Sequence, residues 1–323
     1  MSVRQYTATG KSGATGTDEL DGEKMDIVDT QVHLGPGGAA EKIAAMDAIG
    51  IKSVLIDEWW GGWWGTKPGE PAYKVGDGAV RTTSPTAELA SWTYPGRFSY
   101  LVRVDPQDPD IRSVARFARD STYARALRIT SPMPRSQLAA FAEGAYDSVF
   151  AAASEFGLPL FVSLLGHAPL LNRYLEKFPD IKIIIDHCGM PPSMSMVPTI
   201  TQMEGLPDSQ DYWSKLCGAP LEASFDTVLQ LAKRDNVALK WAHAPSRLNA
   251  AGYPNEGARP FLRKAINVFG AERIMWASDV TVNPTGETWA ELLFAIKDNP
   301  DLSAEEREYV LGRTARNWLN WDD

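Results

Sequence analysis

The stretch IKIIIDH at residues 181–187 decides the fold, because it is a short β-branched run that ends on an aspartate and a histidine. A helical pattern at 168–177 lies directly before it. The same order of a short apolar run and a helical pattern recurs from Met25 onward. This alternation is typical of parallel strands joined by helices, so the sequence predicts an α/β fold.

Eight runs have the composition of strands, and helical patterns lie between most of them. The predicted strands are 25–33, 51–57, 98–104, 124–130, 158–164, 181–187, 237–242 and 273–279, and the predicted helices are 39–49, 110–119, 136–156, 168–177, 221–234 and 257–269. Eight strands with intervening helices favour a closed (β/α)8 TIM barrel over an open doubly wound sheet. No Gly-x-Gly-x-x-Gly fingerprint follows the first strand, which disfavours dinucleotide binding. We therefore predict a single barrel domain at 25–323 after a flexible polar arm at 1–24.

Composition and charge exclude several classes of function. The chain has 323 residues and a formal net charge of −9, and its lysines and arginines are scattered, so we expect no nucleic-acid partner. It contains neither an apolar run of 18 residues nor a hydrophobic signal core, which predicts no membrane span and a cytoplasmic location. Cys188 and Cys217 form no metal-type or redox-type pair and are expected to be free thiols. The expected partner is a small molecule, and a homo-oligomer is left open.

Two long connections follow predicted strands and should lie at the mouth of the barrel. The first, at 58–84, contains EWWGGWWG, which is too rich in glycine for a helix and too aromatic for an ordinary solvated loop. We interpret its four tryptophans as an aromatic lid, with an oligomer contact or packed surface flap as the alternative; they are Trp59, Trp60, Trp63 and Trp64. The second connection, at 189–218, carries MPPSMSMVP and Trp213. Long active-site loops are therefore predicted.

All four histidines of the chain lie at or just beyond the end of a predicted strand, and Asp279 ends the eighth. The histidines are His33, His167, His187 and His243. A lone histidine is more often structural than catalytic. In a barrel, however, the carboxyl ends of the strands meet at the face where active sites are built. The shared position therefore predicts one site formed by residues far apart in the sequence.

Four motifs carry a resemblance to a known family: VDTQVHLG at 28–35, IIIDHCGMPPS at 183–193, VALKWAHAP at 237–245 and FGAERIMWASDVTVNPTG at 269–286. Over roughly residues 25–320 the chain resembles the amidohydrolase-related group (amidohydrolase 2) of TIM-barrel lactonases and decarboxylases in the amidohydrolase superfamily. That group includes 2-pyrone-4,6-dicarboxylate lactonase, sulfomuconolactone and sugar-lactone hydrolases, and nonoxidative decarboxylases. Each motif is short, but the order of the motifs and their placement on strands make the resemblance specific.

The resemblance implies a metal position formed by Gln31, His33, His167 and Asp279, with His187 as a further active-site histidine. Gln31 departs from the pattern, because the family has a histidine there and a glutamine carbonyl is a weak, uncharged ligand. Some lactonases of the group work without a metal. The expected cofactor is therefore either none or one divalent ion, zinc or manganese, since His33, His167 and Asp279 alone could hold one.

Several basic residues near strand ends are candidates for substrate binding, together with the tryptophans. Arg103, Arg128 and Arg247 follow or end the third, fourth and seventh strands, and Arg128 resembles an arginine of the family. A guanidinium at the barrel mouth can hold a carboxylate through two hydrogen bonds. Lys240 and His243 complete the candidates, although the residues after Lys240 depart from the family's motif. The alternative is that these arginines pair with Asp105, Asp57 or carboxylates at helix ends.

The predicted function is hydrolysis of a small, carboxylated lactone. Asp279 would act as the base for water, and His33, His167 and His187 would polarise the carbonyl. The first alternative is a metal-dependent nonoxidative decarboxylase of an aromatic or unsaturated acid. The second is a noncatalytic binding barrel, which the retained histidines and aspartate disfavour.

Overall fold

The computed structural model describes residues 25–34, 38–58, 72–76, 79–129 and 135–321. The predicted N-terminal arm at 1–24 lies outside the described residues. The predicted lid tryptophans Trp59, Trp60, Trp63 and Trp64 also lie outside them. Both interpretations therefore stay predictions.

Eight parallel strands form the barrel, in the order β1-β2-β5-β6-β7-β8-β9-β10. All eight predicted strands are confirmed. A separate antiparallel hairpin, β3–β4, lies within the first long connection, which the sequence pattern had presented as a loop. The strands are β1 Val28–Val32, β2 Ser53–Ile56, β3 Ala72–Val75, β4 Ala79–Thr82, β5 Phe98–Val104, β6 Ala124–Ile129, β7 Leu160–Val162, β8 Ile183–Ile185, β9 Val237–Trp241 and β10 Ile274–Trp276.

Helices pack around the outside of the barrel and follow most of its strands. They are α1 Ala39–Ile49, α2 Pro85–Thr93, α3 Ile111–Asp120, α4 Arg135–Glu143, α5 Asp147–Phe156, α6 Asn172–Lys177, α7 Val197–Glu204, α8 Ser209–Cys217, α9 Leu221–Leu229, α10 Ala244–Arg247, α11 Arg259–Phe269, α12 Trp289–Lys297, α13 Ala304–Glu308 and α14 Thr314–Leu319. The single helix predicted at 136–156 is two helices, because Gly144 turns the chain with φ 98°. The second long connection contains α7 and α8. No helix in the described ranges is both long and apolar enough to cross a membrane.

The interior of the barrel is filled by one apolar side chain from each strand. These residues belong to one buried cluster and are Val28, Leu55, Leu101, Ala126, Phe161, Ile184, Ala238 and Met275. The C-terminal residues Trp318 and Trp321 join the same cluster. Arg316 fixes this end of the chain to Asp26, just before β1, through an ion pair of 2.8 Å. The C-terminal segment therefore closes the amino-terminal end of the barrel and leaves the opposite end for the site.

The seam between β10 and β1 is closed by side chains as well as by backbone. Thr30 Oγ1 donates to the carbonyl of Trp276 at 2.7 Å, and the backbone N–H of Asp279 donates to a carbonyl of β1 at 3.0 Å. Asp29 Oδ1 accepts the backbone N–H of Ser278 at 2.9 Å. Burial raises the pKa of Asp29 to about 6. These bonds fix the backbone that leads from β10 into Asp279.

Candidate active site

A layer of charged side chains lies directly beyond the apolar interior of the barrel. We call Asp57, Arg103, Arg128, Asp186 and Lys240 the charged layer. Each follows an interior apolar residue of its own strand by two positions, and side chains two apart share one face of a strand. The alternation of the strands therefore places three cations and two carboxylates in the same interior layer.

Every member of the charged layer is ion-paired within it. Arg103 contacts both oxygens of Asp57, at 2.6 and 2.7 Å. Arg128 bridges Asp57 and Asp186, with Nε 2.9 Å from Asp186 Oδ2. Lys240, which is 0% exposed, lies 2.5 Å from Asp186 Oδ1.

These pairs involve two residues whose contact with substrate stays a prediction. Arg128 and Lys240 were expected to contact substrate, yet both are buried and their charges are balanced inside the protein. Removing a partner from such a buried pair leaves an uncompensated charge, so the two residues are structural members of the layer. Arg103 is also paired with Asp57, and its side chain is 15% exposed. A substrate contact for Arg103 stays a prediction.

Three residues that follow consecutive barrel strands form the centre of the site. His187, His243 and Asp279, which we call the histidine cluster, lie beyond β8, β9 and β10. All three adopt left-handed backbone conformations, with φ 51°, 54° and 46°. Such conformations cost on the order of 1–3 kcal/mol each and persist where the surroundings enforce them. The chain therefore turns sharply after each of these three strands, which brings the three side chains together.

The polar atoms of the histidine cluster are close together but poorly satisfied. His243 Nε2 is 2.8 Å and His187 Nε2 is 3.4 Å from Asp279 Oδ2. Nevertheless, both carboxylate oxygens of Asp279, both ring nitrogens of His187 and Nδ1 of His243 are buried without an aligned hydrogen bond within the described part of the chain. Buried polar atoms normally have partners, and exceptions occur where a ligand or reaction needs them.

His33 lies beside the cluster, with a tautomer fixed by its neighbours. Its Nδ1 is 2.7 Å from the backbone carbonyl of Asp57, which can only accept, so in neutral His33 the hydrogen is on Nδ1. Its Nε2 lies 3.0 Å from Asp279 Oδ1. The side-chain nitrogen of Gln31 lies 3.3 Å from the same Nε2, and the Gln31 carbonyl accepts from Lys240. Gln31 therefore links His33 to the charged layer.

His167 makes contacts outside the histidine cluster, and its role as a metal ligand stays a prediction. Its Nδ1 is 3.0 Å from the carbonyl of Leu164, and its Nε2 is 2.6 Å from the hydroxyl of Tyr212 on α8. The Tyr212 hydroxyl therefore donates to the nitrogen that a metal would use. Among the described residues, the one group of three histidine or carboxylate side chains with ligand atoms within 4.8 Å of one another is the histidine cluster. His167 is not a member of this group.

The protonation of the site follows from burial and from its neighbours. Burial lowers the pKa of His33, while the Asp279 carboxylate acts in the opposite direction. Burial lowers the pKa of His187 to about 3, so this imidazole is neutral at pH 7. Burial alone would raise the pKa of Asp279, but the imidazoles of His243 and His33 outweigh this effect. The pKa of Asp279 is held well below its usual range, and the carboxylate is ionised.

Arg247 differs from the other two arginines because part of its guanidinium is unpaired. Its Nη1 is buried and has no hydrogen-bond partner among the residues that the structure describes. It lines a small pocket with Pro192 and Ser193 in the connection after β8. Burial lowers the pKa of Arg247 to about 10, while the charge of Asp279 acts in the opposite direction. Arg247 is therefore a buried charged donor at the end of α10, four residues after His243.

The sequence pattern missed Asp186 as part of the site and named Asp57 only as an alternative partner of the arginines. Both occur two positions after an apolar residue of a predicted strand, in IKSVLID and IKIIIDH. That spacing puts the carboxylate on the same interior face as the apolar residue. The inward register of each strand was the signal that could have identified them.

Solved structures with the same fold cover almost the whole chain. A candidate 2-pyrone-4,6-dicarboxylic acid hydrolase from Pseudomonas putida is 18% identical, with a TM-score of 0.61 over 93% of this chain and 99% of that one. An amidohydrolase from Burkholderia multivorans with bound zinc is 14% identical, with a TM-score of 0.65 over 91% and 99%. A 5-carboxyvanillate decarboxylase from Novosphingobium aromaticivorans, complexed with manganese and a nitrobenzoic acid, is 18% identical, with a TM-score of 0.55 over 91% and 96%.

At these identities the solved structures support the fold, and they include both hydrolytic and decarboxylating enzymes. No curated protein matches the chain in sequence. The model of the amidohydrolase family, in contrast, matches residues 28–321. The match extends from β1 to the C-terminal segment that closes the barrel and includes every residue of the site described above. The chain belongs to the amidohydrolase family.

Proposed function

We propose that this enzyme hydrolyses a small lactone that carries a carboxylate. The observation that carries the proposal is the ionised, buried carboxylate of Asp279, whose two oxygens have no aligned hydrogen bond and face His33 on one side and His187 and His243 on the other. A carboxylate with unoccupied lone pairs can accept a proton from water. Ester hydrolysis needs such an acceptor beside donors for the oxyanion.

Because its pKa is low, Asp279 is a weak final acceptor for the proton of the attacking water. We assign the role of final acceptor to His33. Water attacks the lactone carbonyl, and its proton passes by way of Asp279 Oδ1 to the lone pair of His33 Nε2, 3.0 Å away. The resulting imidazolium keeps its Nδ1 bond to the Asp57 carbonyl, and Asp57 Oδ2 lies 3.6 Å from that nitrogen. When the ring C–O bond breaks, the same proton returns to the leaving oxygen, so the reaction balances.

His187 provides the donor for the developing oxyanion. It is neutral at pH 7 and buried, and neither ring nitrogen has an aligned partner. One of its nitrogens carries a hydrogen that can be donated to the carbonyl oxygen as negative charge builds up. Because the donor is held by a left-handed backbone turn, little reorganisation is needed during the reaction.

Arg247 supports an anionic substrate better than Arg128 does. The guanidinium of Arg128 is ion-paired with Asp57 and Asp186, whereas Nη1 of Arg247 has no hydrogen-bond partner in the described structure. A protein of net charge −9 gives an anion no general attraction, so local positive charge is required. The tryptophan segment would add apolar walls that suit a flat, unsaturated ring.

A metal-dependent decarboxylase of an aromatic acid is the second candidate. It is favoured by the two imidazoles and one carboxylate of the histidine cluster, which are donors suited to a divalent ion. If a divalent ion binds, His187, His243 and Asp279 would hold it, and it would supply Lewis acidity for either reaction. The decarboxylase and amidohydrolase structures that contain manganese or zinc are consistent with this candidate.

The experiment is a pair of assays on the same purified protein, with and without prior chelation. A carboxylated unsaturated lactone and its methyl ester test hydrolysis by ring opening, and a hydroxybenzoate with a second carboxylate tests release of CO2. We expect ring opening, faster for the carboxylate than for the ester. Release of CO2 without any ring opening would establish the second candidate and overturn the first.

A further inference from the structure

We infer that a small cavity behind His243 is a binding site for an ordered water molecule, and that Arg259 acts through this water as a positioning residue for His243. The water bonds to Nδ1 of His243, an atom that has no role in the proposed reaction. Nε2 of His243, together with His187 and Asp279, therefore stays available for that reaction. The presence of the water does not depend on the proposed function, whereas its effect on turnover rests on it.

The cavity lies outside the barrel, between β9, β10 and the helices that cover them. Trp241 and Trp276 line it from the strands, and each directly follows an interior residue of its strand and so faces outward. Leu262 of α11 and Leu292 of α12 line it from the helices. Its volume is about 30 Å³, and a volume of about 10–15 Å³ is enough for one water. The cavity therefore suits water and is too small for an organic ligand.

Two buried nitrogens without partners belong to residues on the wall of this cavity. Nδ1 of His243 and Nε of Arg259 are buried and have no hydrogen bond within the described part of the chain. Nε2 of His243 lies 2.8 Å from Asp279 Oδ2, so Nδ1 is the ring nitrogen that remains for the cavity. Nη1 of Arg259 lies 3.8 Å from the exposed carboxylate of Glu256, so the guanidinium reaches the surface while Nε stays buried. Buried polar atoms of this kind are normally satisfied by ordered water.

The groups around the cavity fix the orientation of the water. Nε of Arg259 can only donate. Asn299 is a buried wall residue whose Oδ1 accepts the backbone N–H of Asp301 at 3.0 Å, so its Nδ2 is a second donor. A water that accepts from both has its hydrogens left to donate, and Nδ1 of His243 accepts one when the neutral ring carries its hydrogen on Nε2. The water therefore favours the tautomer with Nε2–H towards Asp279 Oδ2, which leaves Oδ1 for the proton of the attacking water.

The first test uses the wild-type protein without substrate. A crystal structure should show electron density for one water within hydrogen-bond distance of His243 Nδ1 and Arg259 Nε. Nitrogen NMR of protein with isotope-labelled histidine rings should show that Nδ1 of neutral His243 carries no hydrogen and accepts a hydrogen bond, and His243→Gln assigns the resonance. A cavity without this water, or a hydrogen on Nδ1 of the neutral ring, overturns the inference.

Two variants of Arg259 separate the loss of the donor from the loss of the charge. Arg259→Gln puts an amide nitrogen at the position of Nε and should retain both the water and the Nδ1 resonance, although the charge is gone. Arg259→Met has no donor there, so the Nδ1 resonance should move towards that of a nitrogen without a hydrogen bond. In Arg259→Met kcat for ring opening should also fall by about 10- to 100-fold with little change in KM, the scale of a misplaced catalytic group.

Glu256→Gln is the matched control, because it removes only the surface partner of Arg259 and should leave the Nδ1 resonance and kcat unchanged. Equal Nδ1 resonances in Arg259→Gln and Arg259→Met overturn the role of Arg259, since the donor is what distinguishes them. If Arg259→Met does not fold, the wild-type measurements still decide whether the water is bound. If the wild-type protein opens no lactone, the proposed function fails while the water and the resonances stand.

Discussion

The charged layer and the histidine cluster are neighbours in the same barrel, but they differ in how completely their polar and charged groups are paired. In the charged layer each cation has a carboxylate within 3 Å, although Lys240 and Asp186 are completely buried. In the histidine cluster the carboxylate of Asp279 and the rings of two histidines have buried atoms without aligned partners. The layer is built for rigidity, whereas the cluster keeps its donors and acceptors available for a ligand.

The difference indicates how one barrel combines stability with reactivity. The layer fixes the backbone just before two of the three left-handed turns, since Asp186 directly precedes His187 and Lys240 lies three residues before His243. The left-handed turns after β8, β9 and β10 then aim the cluster away from the paired layer. Substitution of a layer residue should therefore mainly lower stability, and substitution of a cluster residue should mainly lower activity.

The largest effect is expected for Asp279→Asn. The amide cannot take a proton from water, so kcat/KM for lactone hydrolysis should fall by about 10³-fold, within the range of general base catalysis. The urea midpoint should fall, because the folded state holds the pKa of Asp279 below its usual range and so favours the charge that the amide removes. Asp180→Asn, at an exposed position, is the control and should be silent in both measurements. A folded Asp279→Asn variant with near wild-type turnover would remove Asp279 from the mechanism.

Arg128→Met should disrupt the ion pairs of the charged layer and lower stability, without removing a group that takes part in the proposed reaction. It leaves Asp57 and Asp186 without the cation that bridges them, which should lower the free energy of unfolding by about 3–5 kcal/mol. Urea denaturation measures this loss. The matched control is Arg112→Met, because the Arg112–Glu155 pair is exposed and its loss should shift the midpoint little. Equal midpoints for the two variants would mean that the buried pairs of the layer contribute no more than a surface pair.

Arg247→Met should reveal the charge of the substrate. The variant removes the guanidinium whose Nη1 is unpaired in the described structure, so KM for a carboxylated lactone should rise by roughly 10-fold or more, the scale of a hydrogen bond between charged groups. The KM for the corresponding methyl ester should change far less. Arg234→Met is the surface control. If both substrates are weakened alike, Arg247 supports the fold and the acidic-substrate proposal fails.

The eight strands could be predicted from the sequence because strands buried on both faces leave short, dense apolar runs. The helices α7 and α8 were not predicted, since MPPSMSMVP and its surroundings have the composition of a loop. They are held instead by tertiary contacts, such as the buried indole of Trp213 and its 3.3 Å contact with Glu204. Local pattern could not show contacts between segments of this kind.

The residues of the site were predicted better than their partners. His33, His187 and Asp279 come together as expected, because strand ends converge in a barrel. Which cation pairs with which carboxylate depends on the register of strands far apart in the chain, and the sequence pattern did not reveal that Arg128 is shared by Asp57 and Asp186. His243 was expected to contact substrate, but its left-handed turn brings it to Asp279.

The smallest effect is expected for Tyr212→Phe, and it decides to which region His167 belongs. The hydroxyl donates to Nε2 of His167, and the ring lies parallel to the imidazole within 3°. Burial lowers the pKa of His167, so the imidazole is neutral at pH 7 and needs this donor. If His167 belongs with the paired residues, the variant should lose about 1 kcal/mol of stability, the usual value of one hydrogen bond, and keep its kcat. Tyr73→Phe, at a position 64% exposed, is the control and should change neither quantity. A fall in kcat with unchanged stability would instead place His167 with the unpaired atoms of the histidine cluster, because only a group that takes part in the reaction would respond in that way.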